Sequence, residues 1–142
     1  MRPLLVAMLM LCGVIAAAGF GYFLWARSGE AEVGQILYAA NCAGCHGANL
    51  EGQPDWMKRL PNGRLPAPPH DETGHTWHHS DKQLFTIVKS GLGAISPGYE
   101  NDMPAFEGVL ADEQIVAVLV YIKSKWPERA RKYQEARSAT DP

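Results

Sequence analysis

The stretch AANCAGCHGANLEG, from Ala39 to Gly52, contains two cysteines three positions apart and a histidine directly after the second one. A Cys-x-x-Cys pair alone serves as a redox dithiol, as half of a zinc site or as a haem attachment site. A structural zinc site needs four ligands, often in two close pairs, and the only other cysteine, Cys12, lies in an apolar N-terminal run. A thioredoxin-like dithiol accompanies a βαβ pattern, which this sequence lacks. The histidine therefore favours haem.

The spacing of these three residues matches the chemistry of a covalently attached haem. Cys42 and Cys45 lie on neighbouring sides of one helical turn, so that each thiol reaches one of the two vinyl groups. His46, directly after Cys45, then directs its imidazole to the iron. The sequence predicts one haem c with thioether bonds to Cys42 and Cys45 and with His46 as an axial ligand.

The sixth iron ligand has several candidates, because methionine and histidine both serve as haem ligands. They are Met57, Met103, His70, His75, His78 and His79. Met103 is favoured: it lies in NDMPAF, in a late loop, where Pro104 has a fixed φ and no N–H and so helps to hold the loop rigid. Met57 follows His46 by only eleven residues and would have to cross the haem edge in a short segment.

The segment HDETGHTWHH, residues 70–79, contains four of the five histidines. Imidazoles bind copper and zinc, so a second metal site is one interpretation. The favoured interpretation is that these histidines are turn and capping residues lying against the haem edge, because most surface histidines bind no metal.

Apolar spacing predicts three helices in the part of the chain after the N-terminus. The first covers about 31–41, and the second begins at Ser80 with a capping box and ends at Gly91. The third begins after Asp112, its predicted N-cap, and runs to about Trp126. Residues 53–79 show no sustained period. A loop of this length inside a domain is unusual, and a large internal ligand would organise it.

The N-terminus carries no charged residue from Pro3 to Trp25, which is longer than the roughly 20 residues that a membrane-spanning helix needs. A cleaved signal is the alternative, although its apolar core is usually only about 7–15 residues long. The sequence thus predicts a membrane anchor (1–27), a short linker (28–32), a haem domain (33–127) and a charged, solvated C-terminal extension (128–142). The net charge of −2 provides no basic surface for nucleic acid.

With CAGCH, MPAF and three helices in this order, the chain resembles the class I cytochromes c from roughly Ala31 to Trp126. The resemblance implies an all-α fold, with three main helices and long loops around one covalent haem, here preceded by a transmembrane helix. It also implies that the first and last helices cross, with Gly34 and Tyr38 facing Val118 and Tyr121.

Further roles follow from the resemblance alone. A proline carbonyl, from Pro68 or Pro69, accepts a hydrogen bond from the axial histidine ring. Trp77 and Tyr99 are candidates for hydrogen bonds to the haem propionates.

The implied function is one-electron transfer rather than enzymatic catalysis, because His/Met ligation leaves no open iron position. In this family haem is attached on the outer side of a bacterial inner membrane, which together with the predicted anchor implies a single-span inner-membrane protein with its haem domain in the periplasm. The implied partners are a redox donor and acceptor, including a terminal oxidase or a dehydrogenase, with the protein acting as a carrier or subunit. The acidic residues around Met103 suggest a docking face for a basic partner. Two alternatives are a haem-based gas sensor and a copper-handling protein that uses the histidine-rich loop.

Overall fold

The computed structural model describes residues 2–141, with the side chains of residues 2–7, 9, 14 and 23–28 left outside that description. Its helices are α1 (Arg2–Asn41), α2 (Ala43–His46), α3 (Asp81–Ser90), α4 (Asp112–Ser124) and α5 (Glu128–Thr140), with 3₁₀ turns at Thr76–His78 and Leu92–Ala94. Residues 2–141 contain no strand, so the predicted all-α class is confirmed.

The chain divides into two units, Met1–Glu30 and Ala31–Pro142. In the first unit, the uncharged run from Pro3 to Trp25 predicts a membrane-spanning helix. No helix long and apolar enough to cross a membrane is found within the described part of the chain. The structure therefore does not confirm the span from Pro3 to Trp25, part of which lies outside the described side chains.

In the second unit, the end of α1 crosses α4 at a point where no side chain fits between the two backbones. A Cβ atom added to Gly34 would lie 2.6 Å from the carbonyl carbon of Ala117 and 2.9 Å from Cβ of Tyr121. Next to this contact, the rings of Tyr38 and Tyr121 pack with centroids 5.4 Å apart. The crossing implied by the resemblance is thus confirmed, and glycine is required because only a residue without a Cβ permits this approach.

The start of α3 has the predicted capping box. The Gln83 N–H donates to Ser80 Oγ at 3.1 Å, and the Ser80 N–H donates to Gln83 Oε1 at 3.3 Å. The helix ends at Ser90 and has Gly91 as its C-cap, whose φ of 82° is readily adopted only by glycine. At α4 the cap differs by one residue from the prediction, because Ala111 and not Asp112 is the N-cap.

The C-terminal segment 128–142 is predicted to be a solvated extension, but its residues Glu128–Thr140 form a packed helix, α5. Ala130 and Gln134 of α5 are fully buried. Gln134 Nε2 donates to Asp81 Oδ1 at 2.7 Å, and Ser80 Oγ donates to Asp141 Oδ2 at 2.6 Å. The sequence does not show this packing, because the helix buries one small side chain and one amide rather than an apolar stripe.

The buried core lies between α1, α3 and α4. Its largest fully buried apolar side chains are Trp126, Tyr38, Leu50 and Ile115, and Cys42, Trp77 and Met103 pack against it while remaining partly exposed. All three of these residues were predicted to surround the haem.

Candidate haem-binding site

The Cys-x-x-Cys-His motif forms a tight turn at the end of α1. The Cys42 N–H donates to the Tyr38 carbonyl at 2.8 Å, and the His46 N–H donates to the Cys42 carbonyl at 2.9 Å. Cys42 and Cys45 are free thiols one helical turn apart. Burial, followed by the neighbouring Cys45, raises the pKa of Cys42 to about 11. Burial therefore favours the neutral thiol over the thiolate at Cys42.

His46 is buried, and its ring has a defined hydrogen bond. Its Nδ1 lies 2.8 Å from the carbonyl oxygen of Pro68, so Nδ1 carries the proton and donates it. A neutral imidazole has one donor and one acceptor nitrogen, which leaves the lone pair of Nε2 free for a metal. Burial lowers the pKa of His46, although the bond to Pro68 acts in the opposite direction. The ring is thus held in the protonation state that binds iron.

Two glycines allow the Pro68–Pro69 segment to lie this close to the motif. A Cβ atom on Gly52 would lie 2.5 Å from the nitrogen of Pro69, and one on Gly74 would lie 2.8 Å from its carbonyl carbon. Gly52 also has a φ of 70°, in the left-handed region. A side chain at Gly52 would therefore displace the Pro68 carbonyl group that accepts from His46, and one at Gly74 would displace the adjacent Pro69 carbonyl.

His70, a sixth-ligand candidate from the sequence, lies on the face of His46. The two rings are stacked, with centroids 4.0 Å apart and planes 23° apart. His70 is thus in face contact with the histidine that is predicted to bind iron.

The other candidates lie in different surroundings. Met57 is 74% exposed, whereas Met103 is partly buried and packs against the core. The Met103 N–H donates to Asn101 Oδ1 at 3.0 Å, which fixes the backbone at the methionine. Among the methionines after α1, Met103 is therefore the one held against the interior.

Trp77 presents an unusual buried donor. Its Nε1 is buried and has no hydrogen-bond partner within residues 2–141. A buried N–H without an acceptor costs free energy, and a haem propionate would provide the acceptor. Tyr99 is half-buried in the loop before Met103.

The remaining histidines contact aromatic rings. His75 stacks on Trp56 and lies edge-on to His79, with centroids 5.5 Å apart in both pairs, while His78 lies against Trp77. Within the described residues, no group of three or more His, Cys, Asp or Glu side chains is arranged to hold a metal ion.

The charges near Met103 are less one-sided than the sequence suggests. Asp102, one of the acidic residues beside it, forms an ion pair with Arg64 from the loop after α2. The predicted acidic docking face is thus partly neutralised by a residue that is distant in sequence.

This set of groups fits a c-type haem. It combines two free thiols on one turn, a neutral imidazole with a free nitrogen, and a buried indole donor without a partner.

Comparisons with known proteins agree with this fit. Residues 29–122 match a family model described as cytochrome c oxidase, cbb3-type, subunit III. The chain belongs to the cytochrome c family. A cytochrome c6 from Leptolyngbya boryana is 33% identical over 96 residues, which cover 68% of this chain and 93% of that protein.

A second relative is the cbb3-type cytochrome c oxidase subunit FixP from Bradyrhizobium sp. (strain ORS 278). It is 30% identical over 95 residues, which are 67% of this chain and 27% of FixP. No solved structure matches the chain significantly. As a cytochrome c, the chain is an electron carrier rather than an enzyme, and it binds haem c covalently.

Sequence reasoning missed several residues around this site. Gly52, Gly74 and Thr76 received no role at the site, and His70 was interpreted as a candidate ligand or as a turn residue against the haem edge, but not as a partner of His46. A glycine on each side of Pro-Pro-His was the available signal, but the contacts involved span many residues and only the folded chain brings them together.

Proposed function

We propose that this cytochrome c transfers single electrons through one haem c, with Cys42 and Cys45 as thioether residues and His46 and Met103 as axial ligands. The bound haem supplies the chemistry, which is the exchange of one electron at iron. The chain holds the iron ligands, excludes water and sets the potential. The observation that carries the proposal is the hydrogen bond of 2.8 Å between His46 Nδ1 and the Pro68 carbonyl, because it leaves Nε2 free next to two thiols.

Ligation by Met103 is supported by elimination and by position. Met57 is exposed and His70 lies against His46, whereas Met103 packs on the core. In cytochromes c, a methionine opposite a histidine raises the reduction potential. Two firm ligands also leave no open position for a gas or a substrate, which favours electron transfer over gas sensing.

We further propose that the protein works at the periplasmic face of a bacterial inner membrane, anchored by its N-terminus. The uncharged run from Pro3 to Trp25 supports this anchor. The match to a cbb3-type oxidase family and to FixP supports a role as a carrier or subunit of a respiratory chain. Its partners would be a redox donor and an acceptor such as a terminal oxidase.

The test uses the full chain, expressed in a host that attaches haem c, in wild-type form and as Met103→Ala and Met57→Ala. Haem-stained denaturing gels of membrane and soluble fractions report covalent attachment and anchoring. Carbon monoxide binding to the ferrous protein reports an open sixth position.

We expect stained full-length protein in the membrane fraction and carbon monoxide binding by Met103→Ala alone. Carbon monoxide binding by the wild type at neutral pH would instead support the gas-sensor alternative. Soluble, shortened, stained protein would contradict the anchor but leave electron transfer in place. Absence of haem stain from the wild type would overturn the whole proposal.

A further inference from the structure

The imidazole of His70 has an unusual position for a residue outside the haem-binding motif. It lies parallel to the ring of His46, with centroids 4.0 Å apart. Its ring also makes an edge contact with the ring of Tyr38, with the two centroids 6.4 Å apart. His70 thus covers one face of the imidazole that would bind iron.

The backbone of His70 is held from two directions. Its N–H donates to the Leu50 carbonyl at 2.8 Å. Its carbonyl accepts a hydrogen bond of 2.7 Å from Nε1 of the fully buried Trp126. The ring is therefore carried by a backbone that cannot shift without breaking contacts to the core.

The side chain of His70 is held by a short hydrogen-bond relay. Its Nδ1 lies 2.8 Å from Thr76 Oγ1, and the Thr76 hydroxyl donates to the Pro69 carbonyl at 3.4 Å. Because the hydroxyl proton is directed at Pro69, Nδ1 of His70 is the donor to Thr76. The two stacked imidazoles are thus attached to consecutive carbonyls, His46 directly to Pro68 and His70 through Thr76 to Pro69.

We propose that His70 is a positioning residue that fixes the plane of the axial imidazole and keeps water from its face, and thereby sets the reduction potential of the haem. This inference rests on the proposed function, in which His46 is an iron ligand. The hydrogen bond to Pro68 is a single attachment point at one edge of the ring. The stacked ring of His70 blocks tilting about that point, which one hydrogen bond does not prevent.

The physical basis is that groups around a metal ligand set its orientation and its basicity. Hydrogen bonding and solvent access near haem are levers on the potential. Water against His46 would stabilise the extra positive charge of ferric iron, so loss of His70 lowers the potential.

The experiment compares the haem-loaded full chain with His70→Ala, His70→Phe and Thr76→Val. His75→Ala serves as the control, because His75 stacks on Trp56 in the same loop. The readouts are the reduction potential, the g-values of the ferric electron paramagnetic resonance spectrum and the midpoint of thermal unfolding.

For His70→Ala we expect the ferric-to-ferrous ratio at a fixed ambient potential to rise about threefold, which corresponds to a reduction potential lower by about 28 mV for one electron. We also expect altered g-values. His70→Phe restores a flat ring and should recover most of the wild-type reduction potential and g-values. Thr76→Val should shift the potential and the g-values in the same direction as His70→Ala, but by less. His75→Ala should leave the potential and the g-values unchanged.

If His70→Ala kept the wild-type reduction potential and g-values and lowered only the midpoint of thermal unfolding, the proposal would be overturned. His70 would then be an ordinary packing residue. If His70→Ala does not fold, Thr76→Val decides on the same two readouts. Failure of the proposed function is distinguishable, because it would appear in the wild type as absence of covalent haem or of histidine ligation.

Discussion

The two sides of the proposed haem site differ in how firmly they are held. The proximal segment, defined as residues 42–80, is fixed by buried contacts that include the His46–Pro68 bond and the Trp126 bond to His70. The methionine loop, defined as residues 91–111, is held at Met103 by Asn101 and at its surface by the exposed Arg64–Asp102 pair. His46 is itself buried, whereas Met103 is only partly buried and the buried residues of its loop, Phe106 and Leu110, follow it in the sequence. Local unfolding follows such differences in buried contacts, so the methionine side should open first.

The largest expected effect comes from removing the covalent attachment on the proximal side. We expect Cys42→Ala with Cys45→Ala to lose haem and most native structure, because a cofactor that binds only the folded chain contributes its binding free energy to stability. Near-UV circular dichroism and haem staining measure this. A native-like near-UV spectrum without haem would show that residues 31–142 fold unaided, and the proximal segment would then owe its rigidity to the protein alone.

A smaller effect should separate the two sides through glycines of similar backbone conformation. Gly52 has a φ of 70° and Gly98 a φ of 80°, yet an added Cβ would meet Pro69 at Gly52 and nothing within 4 Å at Gly98. Gly98→Ala should cost about 1–2 kcal/mol of unfolding free energy from backbone strain alone. Gly52→Ala should cost more, because Pro69 must also move.

Denaturant unfolding measures both variants, and the reduction potential distinguishes them further. We expect a shifted potential only for Gly52→Ala, because only this change displaces the Pro68 carbonyl from His46. Equal costs and equal potentials in the two variants would contradict the view that the proximal segment is the more tightly packed.

A pH-dependent effect is expected where the proximal segment joins α3. Burial raises the pKa of Asp81, but hydrogen bonds from Lys123 and Gln134 outweigh it, and the net pKa lies below its usual value. A carboxylate with a lowered folded pKa adds stability above its unfolded pKa of about 4, and this stability is lost as the pH falls through the lower folded value. Because the carboxylate is 56% exposed, solvent screening limits the gain to about 1 kcal/mol.

Unfolding of wild type and Asp81→Asn at pH 7 and at pH 3 measures this contribution. We expect the variant to be less stable at pH 7 and the difference to shrink at pH 3. Asp55→Asn, in an exposed pair with Lys58, is the matched control and should change stability by less than about 0.5 kcal/mol. If the difference in unfolding free energy between wild type and Asp81→Asn grew on acidification, the pKa of Asp81 would be raised in the folded state rather than lowered.

The smallest effect is expected at the surface of the methionine loop. Arg64→Ala removes the exposed pair with Asp102 and should lower the unfolding free energy by at most about 1 kcal/mol, measured by denaturant unfolding. Salt should remove most of this difference. A loss of several kcal/mol would mean that the methionine loop depends on this pair and is organised as tightly as the proximal segment.

Residues close together in the sequence determined the haem-attachment motif and the two ends of α3, independently of the rest of the chain. Cys42, Cys45 and His46 lie within one turn, so their chemistry follows from spacing alone. The capping box at Ser80 and the stop at Gly91 are also local, because each hydrogen bond joins residues within one or two turns. These are the features on which the sequence and the structure agree.

Only the tertiary structure decided the contacts that join distant parts of the chain. It selected Pro68 rather than Pro69 as the partner of His46, placed His70 on the ring of His46, paired Arg64 with Asp102 and packed α5 on α3. Each of these contacts joins residues more than twenty positions apart in the sequence. The choice between the two adjacent carbonyls depends on the glycines that enclose them. No period or local propensity encodes such pairs, because they form only when the whole core closes around the site.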